Sequence, residues 1–230
     1  MDKKQLNAKL QAEGYAKFKP ITKLDIPNIA SEVEYNLLSS ILISNDIKPN
    51  NILEIGFNEG LMLEKIHNLF PNACINGTEV REDKVNKLLE KGFEVFSVDD
   101  EVIPGDETYD LIYGVSVLHH FSDPYSFIKH AYDRLNHGGM LIFINESHRY
   151  HIPCLIYSTL RNIWHLEKHF LKITKNKLYI TLSELSSNFK VWHDDFFVYH
   201  LFPKLNKIFR FFYLHKIYLL NDIHLFIIKQ

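Results

Sequence analysis

Apolar positions along this chain switch period repeatedly, from two residues to about three and a half and back. Ile52, Leu53 and Ile55 form a short buried-strand pattern. Leu61, Met62, Ile66, Leu69 and Phe70 then recur at helical spacing until Pro71 stops them. Upstream, Val33, Leu37, Leu38, Ile41 and Leu42 share one helical face, and Ser31 with Glu34 has capping-box spacing. The pattern therefore predicts a helix that begins near Ser31 and ends before Pro49. Downstream it predicts a strand over 73–79, a helix over 81–91 stopped by Gly92, and strands over 93–98 and 109–114. Asp123 ahead of Pro124 makes an N-cap and first-turn pair for a helix reaching about residue 136. The run His137-Gly138-Gly139 turns into a fifth strand over 140–145.

Strands alternating with helices of about 10–15 residues imply right-handed crossovers and a parallel sheet covered on both faces. Ligands of such sheets sit at the carboxyl ends of the strands, where strand order reverses. The polar residues at those ends are Glu54, Glu79, Asp99, Asp100, the stretch 114–120 and the stretch 145–148.

The turn after the first strand is the densest of these. It holds Glu54, Gly56, Asn58 and Gly60, and a glycine turn lets a ligand approach the backbone closely. A dinucleotide fingerprint would need G-x-G-x-x-G, and that spacing fails here. Glu54 also suits the wrong charge for a pyrophosphate. Its carboxylate repels a phosphate and attracts a sulfonium or an ammonium.

Residues 51–60, NILEIGFNEG, resemble the first motif of class I S-adenosylmethionine (SAM) dependent methyltransferases. Asn58 stands where that motif commonly has glycine, and Asn is the next most tolerant residue of left-handed geometry. Residues 109–124, YDLIYGVSVLHHFSDP, resemble the family's fourth-strand motif. Residues 134–139, RLNHGG, resemble its L-x-P-G-G turn, with His137 replacing proline. The matched segments fall in the family's order over residues 45–147. The resemblance implies that Glu54, Gly56, Asn58 and Gly60 hold the cofactor SAM. It implies that Glu79 holds the ribose, since two acceptor oxygens suit two vicinal hydroxyls. It also implies that Asp99 or Asp100 contacts the adenine and that Gly114 contributes its backbone carbonyl.

The implied fold is a three-layer α/β sandwich around a mostly parallel Rossmann-like sheet. A single domain would comprise an N-terminal helical cap (1–44), a cofactor-binding core (45–147), a helical insertion serving as substrate lid (148–221) and an antiparallel terminal strand (222–230).

His119 and His120 follow the fourth strand, where the resemblance places the acceptor. Imidazole is the natural base for a hydroxyl proton at neutral pH. One of two adjacent side chains must face the core, and His120 is the first candidate for base or substrate contact, with His119 second. His148 and His151 lie near the same mouth. His165 and His169, at i and i+4, lack Glu or Cys at metal-ligand spacing and read as helix surface, so no metal is expected.

Composition adds three constraints. A chain of 230 residues that is 46% apolar can bury a full core. Its net charge of -2 conceals an asymmetry: residues 1–147 carry 14 Lys and Arg against 23 Asp and Glu, and residues 148–230 carry 12 against 5. The basic C-terminal part suits something anionic or a solvated face. The two cysteines, Cys74 and Cys154, stand apart, and neither an apolar leader core nor a run of about eighteen apolar residues occurs, so the expected location is the cytoplasm.

Within residues 202–218, Lys204, Lys207, Arg210 and Lys216 interleave with Phe209, Phe211, Phe212 and Tyr213. A lid over the substrate, a peripheral membrane face and a nucleic-acid surface compete there. The lid reading is preferred, and the overall charge argues against nucleic acid. Nothing in the pattern speaks to oligomeric state. The expected function is SAM-dependent methyl transfer to an oxygen or nitrogen of a small molecule with an anionic handle, phosphorylated or sugar-linked. A lipid or quinone-like acceptor and a non-catalytic SAM-binding regulatory protein are the alternatives.

Overall fold

In the computed structural model, which describes residues 26–98, 102–146, 173–194 and 222–230, seven strands form one sheet. They are β1 (Asn51–Ile55), β2 (Cys74–Glu79), β3 (Glu94–Ser97), β4 (Tyr109–Val115), β5 (Leu135–Glu146), β6 (Phe189–Asp194) and β7 (Asp222–Ile228). Their order is β3-β2-β1-β4-β5-β7-β6. Neighbours from β3 to β5 are parallel, and β7 runs antiparallel to both β5 and β6. The chain builds outward from β1 to β3 and then returns to β4 on the other side of β1. Strand order thus reverses between β1 and β4, which makes the carboxyl ends of these two strands the expected ligand position.

Helices cover both faces, and the alternation within each strand says which. Leu53 and Ile55 of β1 face the core built with α4 (Pro124–Asp133) and α5 (Lys175–Leu185), through Phe127, Ile128, Leu178 and Leu182. Ile52 faces the other core, with Leu38 and Leu42 of α1 (Ile26–Ser44), Leu63 and Ile66 of α2 (Leu61–Leu69), and Val85 and Leu88 of α3 (Glu82–Glu90). The same division holds in β5, where Leu141 and Phe143 point one way and Met140, Ile142 and Ile144 the other. A period of two on strands buried from both sides produces the three-layer sandwich that the sequence implied.

Local signals explain most boundaries. Asp123 caps α4 as expected, its Oδ1 accepting from the N–H groups of Tyr125 and Ser126 at 3.1 and 3.2 Å. The helix stops at Asp133, three residues short of the expectation, because Leu135 already pairs with Tyr109 of β4. The expected turn at 137–139 is likewise absorbed into β5, whose register shifts between Tyr109 and Leu111.

Two differences matter more. Helix α1 begins at Ile26, upstream of the expected cap, since a proline such as Pro27 is tolerated in a first turn. Ser31 is therefore an interior helix residue. Residues 189–194, placed by the sequence in a helical insertion, instead form the edge strand β6, although α5 within the same insertion is helical. Among the described residues no helix is long and apolar enough to cross a membrane. The aromatic stretch 202–218 and the histidines His148, His151, His165 and His169 lie outside the described residues.

Candidate active site

At the switch point, one cavity opens over the carboxyl ends of β1, β2 and β4 and is bounded above by α1. Of the residues expected there, Glu54, Gly56, Asn58, Glu79 and His120 line it. Asp99 and Asp100 lie outside the described residues; Val98 and Val102, which flank them, are on the wall.

Glu54, next to last in β1, is almost fully buried, and the Tyr113 hydroxyl of β4 donates to its Oε2 at 2.8 Å. Burial pushes its carboxyl up to about 8; the Tyr113 hydrogen bond opposes this, and the nearby charges of Glu79 and Glu34 add to it. The same burial, with Glu54 alongside, drives the Tyr113 phenol well above its ordinary value. Glu54 is therefore a largely neutral acid at neutral pH, ready to ionise when a cation arrives.

The turn that follows is held by backbone geometry. Gly56 has φ 69° and Asn58 has φ 50°, so the asparagine adopts the left-handed conformation its place in the motif demands. A Cβ on Gly56 would stand 2.5 Å from Val117 Cγ2, which leaves no room for a side chain between β1 and β4. Gly60 and Gly114, expected at the cofactor, are not among the residues that line the cavity. A Cβ on Gly60 would meet Leu88 of α3 at 2.6 Å, and one on Gly114 would meet Val117 and Phe143 at 2.6 and 2.7 Å.

Glu79 ends β2 and ties the turn to its own strand. Its Oε2 accepts from Asn58 N at 2.8 Å, and its Oε1 from Val80 N and Arg81 N at 3.0 and 3.2 Å. Burial raises its carboxyl above the usual value, while these three N–H groups and the Arg81 charge pull it down. Of about four acceptor positions on a carboxylate, three are occupied by the backbone, which leaves room for about one ligand hydroxyl without rearrangement.

The two histidines separate. They occupy a short 3₁₀ turn (Leu118–His120), with ring centroids 4.2 Å apart. His119 is the buried one: its Nδ1 lies 2.8 Å from Glu146 Oε2. His120 lines the cavity.

Glu146, at the end of β5, lies in the stretch 145–148 that the sequence places at the ligand-binding ends of the strands, but the sequence reading gave it no individual role. It is fully buried and takes the N–H groups of Val117, Leu118 and His119, each at 3.0 Å. The turn that presents His120 is thus folded around one carboxylate. Beside it, Ser116 and Asn145 have φ 53° and 59°, uncommon for residues other than glycine, and Ser116 Oγ donates to the Asn145 carbonyl at 2.7 Å. Asn145 Nδ2 in turn donates to Glu34 Oε1 of α1 at 2.7 Å. The only signal for Glu146 was a carboxylate closing a long apolar run.

Among the described residues no group of three His, Cys, Asp or Glu is placed to hold a metal. The lining suits SAM. Glu54 offers an ionisable acid to a cation, and a diphosphate would meet Glu54, Glu59 and Glu79 on the same wall.

Comparison with known proteins agrees. Residues 29–194 match the model of a methyltransferase domain family. Malonyl-[acyl-carrier protein] O-methyltransferase 1 of Ilyobacter polytropus is 27% identical over 150 residues, 62% of this chain and 52% of that protein. The corresponding enzyme of Bacillus anthracis is 26% identical over 121 residues, 50% of this chain and 45% of its own length. The chain spans about half the length of the curated relatives it matches.

Among solved structures, the plantazolicin methyltransferase BpumL in complex with SAH superimposes with a TM-score of 0.66, at 16% identity over 99% of this chain and 97% of that one. The N-methyltransferase NodS from Bradyrhizobium japonicum WM9, also with S-adenosyl-L-homocysteine (SAH), gives 0.59 at 16% identity, covering 97% of each chain. At such identity these likenesses speak to the fold. The family match spans most of the chain, which therefore belongs to the methyltransferase domain family, and its fold is that of the SAH-bound methyltransferase structures.

Proposed function

We propose that the chain methylates an oxygen or nitrogen of a small molecule carrying an anionic handle, phosphorylated or sugar-linked, in the cytoplasm. The observation that carries the reaction side is the placement of His120 on the cavity wall across the β1–β4 switch point from Glu79. The handle rests on the basic balance of residues 148–230. Much of that region lies outside the described residues.

Bound SAM supplies a methyl group already activated by its sulfonium. The residues therefore need mainly to align and to exclude water. In this reading Glu79 takes a ribose hydroxyl at its remaining acceptor position, and Asp99 or Asp100 meets the adenine. Glu54 ionises against the ammonium, losing its proton in the process. Val115, Val117, Phe121 and Phe127 make the acceptor side apolar, which keeps water out. His120 holds the acceptor or removes its proton, and Glu146 keeps the turn in place. Asn58 holds its place in the turn in the left-handed conformation, at φ 50°.

SAH release is the direct test. The full chain is incubated with SAM and a panel of phosphorylated and nucleotide-linked sugars, with neutral quinone-like compounds as controls. Turnover confined to the anionic members is expected. Turnover on the neutral compounds alone would refute the handle, and failure to bind SAH calorimetrically would refute the cofactor assignment in this chain.

A further inference from the structure

We propose that Ser31 of α1 recognises the cofactor: its hydroxyl, together with the first turn of α2, takes the amino-acid carboxylate of SAM. The proposal deepens the methyl-transfer reading above and rests on it.

The helical wheel sets the direction of Ser31. Its neighbour Glu32 pairs with Lys65 of α2 at 2.6 Å, and the same Lys65 ammonium lies 5.6 Å from the centroid of the Tyr35 ring. Glu34 accepts from Asn145 Nδ2, near the end of β5. At about 100° per residue, position 31 falls between positions 34 and 35. Ser31 therefore faces the gap between α2 and the end of β5, over the carboxyl ends of β1 and β4, and it lines the cavity there.

Its side chain is left over by the fold. Ser31 is 6% exposed, and its Oγ is buried with no hydrogen-bond partner among the described residues. A serine inside a helix is ordinarily satisfied by solvent or by a carbonyl of the preceding turn. A buried hydroxyl that has neither, on a cavity wall, marks a place where a ligand completes the hydrogen bond. Its one side-chain torsion lets it swing toward that ligand.

A second feature meets it. Helix α2 begins at Leu61, behind Gly60, and no side chain among the described residues caps it. Leu61 and Met62 line the same cavity, one helical turn before the Lys65 that Glu32 holds. The N–H groups of a first helical turn have no partner within the helix and favour an anion.

The chemistry of the cofactor then selects which part of it sits here. The ribose hydroxyls are neutral and belong, in the reading above, to Glu79 on the β1–β2 side. The sulfonium and the ammonium are cations and gain nothing from a helix N-terminus. The carboxylate is the one anion of SAM, and it enters a wall that holds the carboxyls of Glu34, Glu54, Glu59 and Glu79. Arg81, the cation among the described lining residues, follows β2 and is paired with Asp83. A carboxylate over the end of β1 therefore needs local donors, and a hydroxyl and backbone N–H groups are donors.

Calorimetry on the full chain with three ligands tests this. SAH carries the carboxylate and the amine, its decarboxylated analogue carries the amine alone, and methylthioadenosine carries neither. S31A should weaken SAH by about tenfold or more, the size of one hydrogen bond to a charged group, and leave the other two ligands within about twofold. The melting temperature without ligand should hold, since alanine favours the helix and the hydroxyl has no bond to lose. If S31A does not fold, S31C serves, because a thiol is only a weak donor. A loss shared by all three ligands would assign Ser31 to the adenosine half or to the fold. A loss confined to SAH and its decarboxylated analogue would assign it to the amine. Either result, or an unchanged SAH affinity, would overturn the proposal. If the wild-type chain fails to bind SAH at all, the methyltransferase reading itself falls.

Discussion

Replacing Glu54 by Gln should make the ligand-free protein more stable and its cofactor binding worse. Glu54 has a carboxyl raised from 4.5 to about 8, chiefly by burial. Between those values the folded protein holds a proton that the unfolded chain releases. By linkage, stability then falls as pH rises from the unfolded value to the folded one. At 1.36 kcal/mol per unit the penalty is about 1 kcal/mol at pH 5, about 3 kcal/mol at pH 7 and approaches about 5 kcal/mol above pH 8. Glutamine has the shape of the neutral acid, keeps an oxygen for the Tyr113 hydroxyl, and carries no such penalty. For a chain of this length each kcal/mol moves Tm by roughly 2–4 °C. Thermal melts should therefore show a gain of roughly 2–4 °C at pH 5 and roughly 6–12 °C at pH 7. The same variant should bind SAH more weakly, because the carboxylate that meets the ammonium is gone. A Tm change that is equal at both pH values, or a loss at both, would show that Glu54 is ionised in the native state and would refute the argument.

What the sequence conveyed and what it withheld follow from the range of the forces involved. The turn at Glu54, Gly56, Asn58 and Gly60 was legible because its requirements are local: an acid near the end of a strand, then left-handed positions at fixed offsets. Strands β1 and β4 were legible because burial on both faces leaves largely apolar runs. Strand β6 was not. Phe189 and Val191 alternate with Lys190 and Trp192, but the pattern is short, and pairing with β7 some thirty residues on decides it. The start of α1 was misread because Ser31 and Glu34 mimic a cap, whereas both lie inside the helix and line the cavity. Glu34 meets Asn145 across 111 residues, a contact no local pattern encodes. Which histidine turns inward was equally undecidable from spacing. A 3₁₀ turn sets neighbours about a third of a circle apart, and the buried carboxylate of Glu146 makes the choice.

Three further outcomes test individual residues. Glu79→Ala should lower SAH affinity by at least about tenfold, since a hydrogen bond to a charged group is worth roughly 1.5–3 kcal/mol; an unchanged calorimetric Kd with the fold intact would move the ribose elsewhere. His120→Ala should leave SAH affinity within about twofold while turnover with the true acceptor falls by roughly 10²–10⁴ if it is a general base, and normal turnover would turn attention to His119 or His148. Glu146→Gln should prove nearly as damaging as Glu146→Ala. Alanine leaves the N–H groups of Val117, Leu118 and His119 without an acceptor, at about 1–3 kcal/mol for each that water cannot reach, and glutamine turns an NH₂ toward one or two of those donors. Both variants should lose on the order of 3 kcal/mol or more in denaturant unfolding and speed amide exchange at 117–119. A glutamine variant within about 0.5 kcal/mol of the parent would refute this account and mean that some other group folds the turn beneath His120.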